Sequence, residues 1–170
     1  MRGSIFQNVF LSKENCYMPN NFKKLKEDIL DEINLLDQTL NALSDFKGKI
    51  VLKDANTDQK AVTGTYLMNF YTGVENIIKR VSKEYYQTLP KGASWHKELL
   101  DLSFDPPKNK IPIFTREIVN RLNPYRGFKH LFVSGYGFKL EMELMLSLIN
   151  NVDNLWLDIK KAVTEFSGKL

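Results

Sequence analysis

Arg126, His130 and Ser134 stand four residues apart in a segment that also carries Lys129 and Tyr136. On a helix of about 3.6 residues per turn, positions four apart share a face. Lys129 and Tyr136 run beside that stripe, while Phe128, Leu131, Phe132 and Gly135 take the opposite half. One face is thus apolar, and the other holds two cations, an imidazole and two hydroxyls. Such a face can grip a phosphodiester and move a proton. A cation stabilises charge that builds on the phosphate, and imidazole is suited to acid–base work near neutral pH. The plainer alternative is a solvated helix face, with His130 hydrogen-bonded to a neighbour.

The elements that must carry this face read as helices. From Asn20, apolar residues fall at Phe22, Leu25, Ile29, Ile33, Leu36, Leu40 and Leu43, in steps of three and four. This spacing predicts an amphipathic helix of about seven turns, with pairs such as Lys24–Asp28 on its outer face. Gly48 and the segment 51–57 break the pattern, and Thr57 or Asp58 is the expected cap of a second helix, running to about Thr88. Val62, Tyr66, Phe70, Val74, Ile77 and Val81 form its stripe. Its stretch from Tyr66 to Val74 is apolar on most faces, which puts this helix at the centre of a bundle. Gly64 and Gly73 cost helix propensity and are read as points of close helix–helix approach. Pro90 and Gly92 are expected to end the helix.

Ser94 is the expected cap of a short helix, Trp95–Leu102, and Pro106 and Pro107 make 105–110 a loop. Thr115 is the expected cap of a fourth helix, with Ile118, Val119 and Leu122 inward. The residue before a proline disfavours helical geometry, so Pro124 predicts a kink or break at Asn123. A further helical segment then reaches about Tyr136, closed by Gly135 and Gly137. The last helix starts near Leu140 and carries Leu144, Leu148, Val152, Leu155, Ile159, Val163 and Phe166. No alternation of the β type has useful length. The fold class is therefore all-α, an up-and-down bundle of four long helices plus a short one.

The chain has 170 residues, of which 43% are apolar and 26% charged, which suits one globular domain. Residues 18–170 are expected to form it. Met1-Arg2-Gly3-Ser4 reads like an expression leader, so residues 1–17 are expected to be an added or poorly ordered extension, with Met18 the natural start. The net charge of +4 permits an anionic partner without demanding one. Cys16 is the single cysteine, and His96 and His130 are the two histidines. A disulfide within the chain and a cysteine-based zinc site are excluded, and neither a metal nor a cofactor is expected. The longest uncharged stretch, Ala61–Val74, contains Thr63, Gly64, Thr65 and Asn69. A membrane span needs roughly 20 mostly apolar residues. A cytoplasmic protein is the expectation. Walker, Rossmann, His-Glu-x-x-His and Gly-x-Ser-x-Gly signatures are all missing. Trp95 is expected as a core or interface anchor. His96 either faces the cleft or makes a hydrogen bond at its helix N-terminus, and the second is the simpler reading.

Several of these segments resemble one family. Asn69-Phe-Tyr-Thr-Gly-Val-Glu-Asn-Ile-Ile78 is similar to its second-helix pattern. Leu89-Pro-Lys-Gly-Ala-Ser-Trp-His-Lys-Glu-Leu-Leu100 resembles a Pro-x4-Trp-His-x2-Leu-Leu stretch. Tyr125-Arg-Gly-Phe-Lys-His130 and Tyr136-Gly-Phe-Lys-Leu140 resemble its Tyr-Arg-Gly-Phe-Arg-His and Tyr-Gly-Phe-x-Leu. The family is that of the HepT-like ribonuclease toxins of the HEPN superfamily, and the resemblance covers about residues 20–168. It implies a helical bundle that forms a homodimer and cleaves RNA without metal through an Arg-x4-His-x-Tyr motif. It also implies a nucleotidyltransferase antitoxin that adenylylates the motif tyrosine, here Tyr136. In the register that keeps Tyr136, the arginine position reads Lys129 and the histidine position reads Ser134. Lysine keeps the charge without the planar fork that matches a phosphate. Serine has no group that titrates near neutral pH. A shifted pair, Arg126 and His130, has only three residues between its members. The resemblance therefore leaves three readings: a toxin-family protein with weakened or lost cleavage, an active ribonuclease working through Arg126 and His130, and a non-enzymatic module that docks onto a nucleotidyltransferase. The first is favoured.

Overall fold

In the computed structural model, residues 22–136 and 141–170 are described. The expected leader 1–17 and the start at Met18 lie outside the described residues, as do Gly137 and Leu140. Helix α1 spans Lys23–Lys47, and a single 3-10 turn, Leu52–Asp54, follows it. Helix α2 spans Thr57–Val81 and α3 Trp95–Leu102. Helix α4 spans Arg116–Leu131 and α5 Met142–Lys169. The fold is all-α, a bundle of four long helices and one short one, as the spacing predicts.

The stripes explain the packing. On α1, Leu25, Ile29, Ile33, Leu36, Leu40 and Leu43 are all buried, and Lys24 pairs with Asp28 on the outside. Helix α2 packs against all four other helices, which accounts for its apolar middle. Gly73 shows why a costly glycine stands there. A Cβ at this position would lie 2.7 Å from Leu36 Cδ2 and 2.9 Å from Leu36 Cγ. The glycine lets α1 approach α2 closely. Beside this contact, Arg80 reaches Glu32 at 3.3 Å and donates to the Asp28 carbonyl at 2.6 Å. Farther along, Phe70 meets Tyr125 and Trp156 edge-on. The Tyr125 hydroxyl donates to the Leu148 carbonyl at 2.7 Å and ties α4 to α5.

Several boundaries and faces differ from the sequence expectation. Asn56, not Thr57 or Asp58, caps α2. Its side chain accepts from the Gln59 N–H at 2.9 Å, and the Gln59 side chain accepts from the Asn56 N–H, closing a reciprocal capping box. The α-helical part of α2 ends at Val81, widens into a π turn over Ser82–Tyr86, and stops at Gln87 in the left-handed conformation. It therefore ends before Pro90 is reached. Ser94 does not cap α3 with its side chain; its hydroxyl donates to Glu98 instead. Thr115 does cap α4, accepting from Ile118 N–H at 3.3 Å.

The helix does not break at Asn123, and α4 runs through Pro124 as one element. Proline has no N–H to offer the carbonyl of Asn120. Both residues are exposed on the outer face, where that carbonyl is not sealed away from solvent. Leu122 and Tyr125, buried on the inner face, hold the helix in place. After Leu131 the helix widens into a π turn, Phe132–Tyr136, with Gly135 at φ 85°. Leu131 and Leu144 are exposed rather than inward, and so is Val62. Met145 takes the core position next to Leu144. Among the described residues, no helix is long and apolar enough to cross a membrane.

The Gly73 contact carries a prediction. Gly73→Val should destabilise the protein by about 1–3 kcal/mol through overpacking against Leu36. Adding Leu36→Ala should cost less than the sum of the two single changes, because the methyl groups that collide are then gone. Urea denaturation of the two single variants and the double variant measures both effects; strict additivity would contradict the close approach.

Candidate functional site

Helix α2 places Tyr71, Glu75 and Lys79 four residues apart, so they lie along one face. Glu75 falls on the buried side, with its side chain only 1% exposed. A carboxylate in that position needs partners, because removing an ion from water costs several kcal/mol. Three arrive from three helices. Lys129 on α4 donates to Glu75 Oε2 at 2.8 Å, and Lys79 on α2 donates to the same oxygen at 3.1 Å. His96, in the first turn of α3, brings its Nδ1 to 2.5 Å from Oε1. Burial by itself would push the Glu75 carboxyl up. The hydrogen bonds from Lys129 and His96, the Lys129 charge and the bond from Lys79 outweigh it and hold the carboxyl below the usual carboxylate range. An ionised Glu75 accepts from Nδ1–H, which leaves Nε2 as the free ring nitrogen of His96. Trp95 lies flat on the His96 ring, with centroids 3.5 Å apart and planes at 29°. Lys79 Nζ also sits 4.5 Å from the centre of the Trp95 ring.

Two members of this cluster, His96 and Lys129, line a cleft of about 510 Å³ between α3 and α4. Lys97 and His96 line it from α3, and Arg126, Lys129 and His130 line it from α4. Val133 and Ser134 of the π turn complete that side, and Tyr71 lies at its inner end. Burial pushes the Tyr71 phenol well above its usual range, and Glu75 pushes it the same way while Arg126 opposes. The phenol therefore stays a neutral donor at any physiological pH. Arg126 Nε donates to Asn123 Oδ1 at 3.3 Å. The Ser134 hydroxyl donates to the carbonyl of His130 at 2.7 Å, a bond within its own helix. Cationic and donor side chains, Lys97, Arg126, Lys129 and His96 among them, line the cleft beside apolar surface, an arrangement that can take an anion such as a phosphodiester.

The structure brings Arg126, Lys129, His130 and Ser134 together on this one cleft. The side chain of Tyr136 lies outside the described part, so its position relative to them is not described. His96 does not follow the simpler reading of a hydrogen bond at its helix N-terminus; its ring turns away from its own helix end to Glu75 and lines the cleft. Trp95 is partly buried against the core, as an anchor should be. Sequence reasoning gave no role to Glu75 or Tyr71. Both lie within 69–78, a segment already singled out, and a glutamate in an otherwise apolar helix face was the signal available.

The ion cluster makes a measurable prediction. Lys129→Met should destabilise the protein near neutral pH by about 1.5–3 kcal/mol, the usual worth of a hydrogen bond to a charged group. The sign with pH follows from the lowered Glu75 carboxyl. Its stabilisation is complete above the ordinary glutamate value of 4.5 and fades as pH falls toward the folded-state value. The gap between wild type and variant should therefore narrow below about pH 4.5. Urea titrations across that range read it, and a gap constant with pH would refute the assignment.

A match to a protein family described as HepT-like protein spans residues 62–170, from α2 to the end of α5. The matched region contains every side chain that lines the cleft. No curated protein and no solved structure matches the chain. With more than half of its length matched, and with the helical bundle and the cleft lying within the match, the chain belongs to the HepT-like family.

Proposed function

We propose that this protein is a HEPN-type member of a bacterial toxin–antitoxin module whose metal-independent RNA cleavage is weakened or lost. One observation carries the reading. The positions that would hold the family's arginine and histidine face a single cleft, yet their occupants are spent inside the fold. Lys129 is bound to the buried Glu75, and the Ser134 hydroxyl is bound to the His130 carbonyl. Lysine offers a phosphate no planar fork, and serine supplies no acid–base group. Arg126 and His130 stand one turn apart on the same wall, which keeps cationic character for RNA binding. The protein acts as a cytoplasmic homodimer, with the two clefts brought toward the twofold axis. A nucleotidyltransferase antitoxin is its partner, and Tyr136 is the residue that this partner adenylylates.

A second reading, a non-enzymatic module that docks onto a nucleotidyltransferase, is favoured by one feature. Val133 on the cleft rim and its neighbour Leu131 are 65% and 42% exposed, and they present apolar surface beside the cationic wall.

RNA cleavage in the presence of a chelator separates the readings. Wild type should cleave slowly or not at all, and Lys129→Arg with Ser134→His should gain on the order of 10²-fold or more, the usual contribution of an acid–base group. Robust wild-type cleavage that disappears in His130→Ala would sink the proposal and favour the Arg126–His130 site. No gain in the rebuilt variant, with tight binding to the nucleotidyltransferase, would favour the docking module.

A further inference from the structure

We propose that His96 is the acid–base group for whatever RNA cleavage this cleft retains, in place of the imidazole missing at position 134. The proposal rests on the ribonuclease reading of the same cleft. Three observations carry it. His96 lines the same cleft as Arg126 and His130, from α3 where they come from α4, with its side chain 38% exposed. Its Nδ1 is committed to the buried Glu75 at 2.5 Å, so Nε2 is the ring nitrogen left to exchange a proton. Its ring is fixed in orientation by the Trp95 face stacked on it. A carboxylate that holds one imidazole nitrogen while the other meets substrate is a general way to set the tautomer and aim the base.

The step balances without a metal or any further reactant. Nε2 takes the proton from a ribose 2′-hydroxyl. The freed electron pair on O2′ forms a bond to the adjacent phosphorus, and the bond from phosphorus to O5′ breaks. O5′ leaves with a proton from water, the hydroxide so formed takes the proton from the His96 imidazolium, and the products are a 2′,3′-cyclic phosphate, a 5′-hydroxyl and the neutral imidazole. Arg126 supplies positive charge beside the phosphate as the pentavalent arrangement forms. Lys129 is less available for this, because it is held by Glu75.

The test uses the full chain, a single-stranded RNA with a fluorescent end label, and chelator throughout. His96→Gly, assayed with and without added imidazole, is compared with wild type, and His96→Gln serves as the variant that keeps the helix and a donor toward Glu75. Thermal unfolding checks that both are folded. The expected result is slow wild-type cleavage with cyclic-phosphate ends, a fall of at least about 10²-fold in both variants, unchanged RNA affinity, and recovery of His96→Gly with imidazole. Recovery by free imidazole is a readout that a purely structural histidine does not give. Cleavage by His96→Gln at the wild-type rate would overturn the proposal, as would His96→Gly cleavage that imidazole leaves unchanged. A wild type with no cleavage would also overturn it. In that case the Lys129→Arg, Ser134→His variant tells the two failures apart: a gain there leaves the ribonuclease-family reading standing, and no gain removes both.

Discussion

Glu75 is the point on which the site is built. Its carboxylate is removed from water in the middle of α2, and burial alone would favour the neutral acid. Ionised, it must collect hydrogen bonds, and two of its three partners come from other helices: Lys129 from α4 and His96 from α3. A short helix of eight residues has little stability of its own. The contact with Glu75 and the burial of Leu99 and Leu100 fix where α3 sits. The cleft exists because α3 and α4 are both drawn to the same carboxylate while their outer faces stay apart.

That constraint also sorts the cations. Lys129 and Lys79 neutralise Glu75 and are only partly available to a ligand. Among the described residues, Arg126 makes one side-chain bond, to Asn123, and it lies one turn before His130 on the cleft side of α4. A cleft in which Lys129 is held by a buried carboxylate can therefore still present the charge of Arg126 and the imidazoles of His96 and His130. The Glu75 cluster holds Lys129 in place in the fold and, through Nδ1, holds His96 in orientation. One buried carboxylate thus joins three helices and sets the orientation of an imidazole that lines the cleft.

Two local features of α4 set which residues face this cleft. Pro124 falls on the solvent side, where a missing hydrogen bond costs least, and the helix continues from Arg116 to Leu131. Arg126, Lys129 and His130 therefore stand where an unbroken wheel places them. Beyond Leu131 the π turn departs from the 100° step, and Gly135 with positive φ closes it. Val133, four residues after Lys129 and seven after Arg126, comes to the cleft rim beside Ser134 on the face that helical spacing gives it, and Leu131 faces solvent.

The amino-acid sequence by itself determined the helices, the all-α class and most of the core. Apolar spacing is a local property, and burial follows it on α1 from Leu25 to Leu43 and on α5 from Leu148 to Phe166. Gly73 was legible as a close approach because a glycine inside a helix has few other uses. The stripe of Arg126, Lys129, His130 and Ser134 was legible for the same reason, since positions on one helix need no partner to share a face. What the tertiary structure decided is everything that joins different helices. Whether Pro124 breaks α4 depended on which side of the helix faced water. Whether His96 served its own helix end or the cleft depended on a glutamate 21 residues earlier in the chain. Glu75 stood out locally as a glutamate in an apolar helix face, but its role did not, because a buried carboxylate is defined by the cations that surround it, and those come from 54 residues away as well as from one turn along α2.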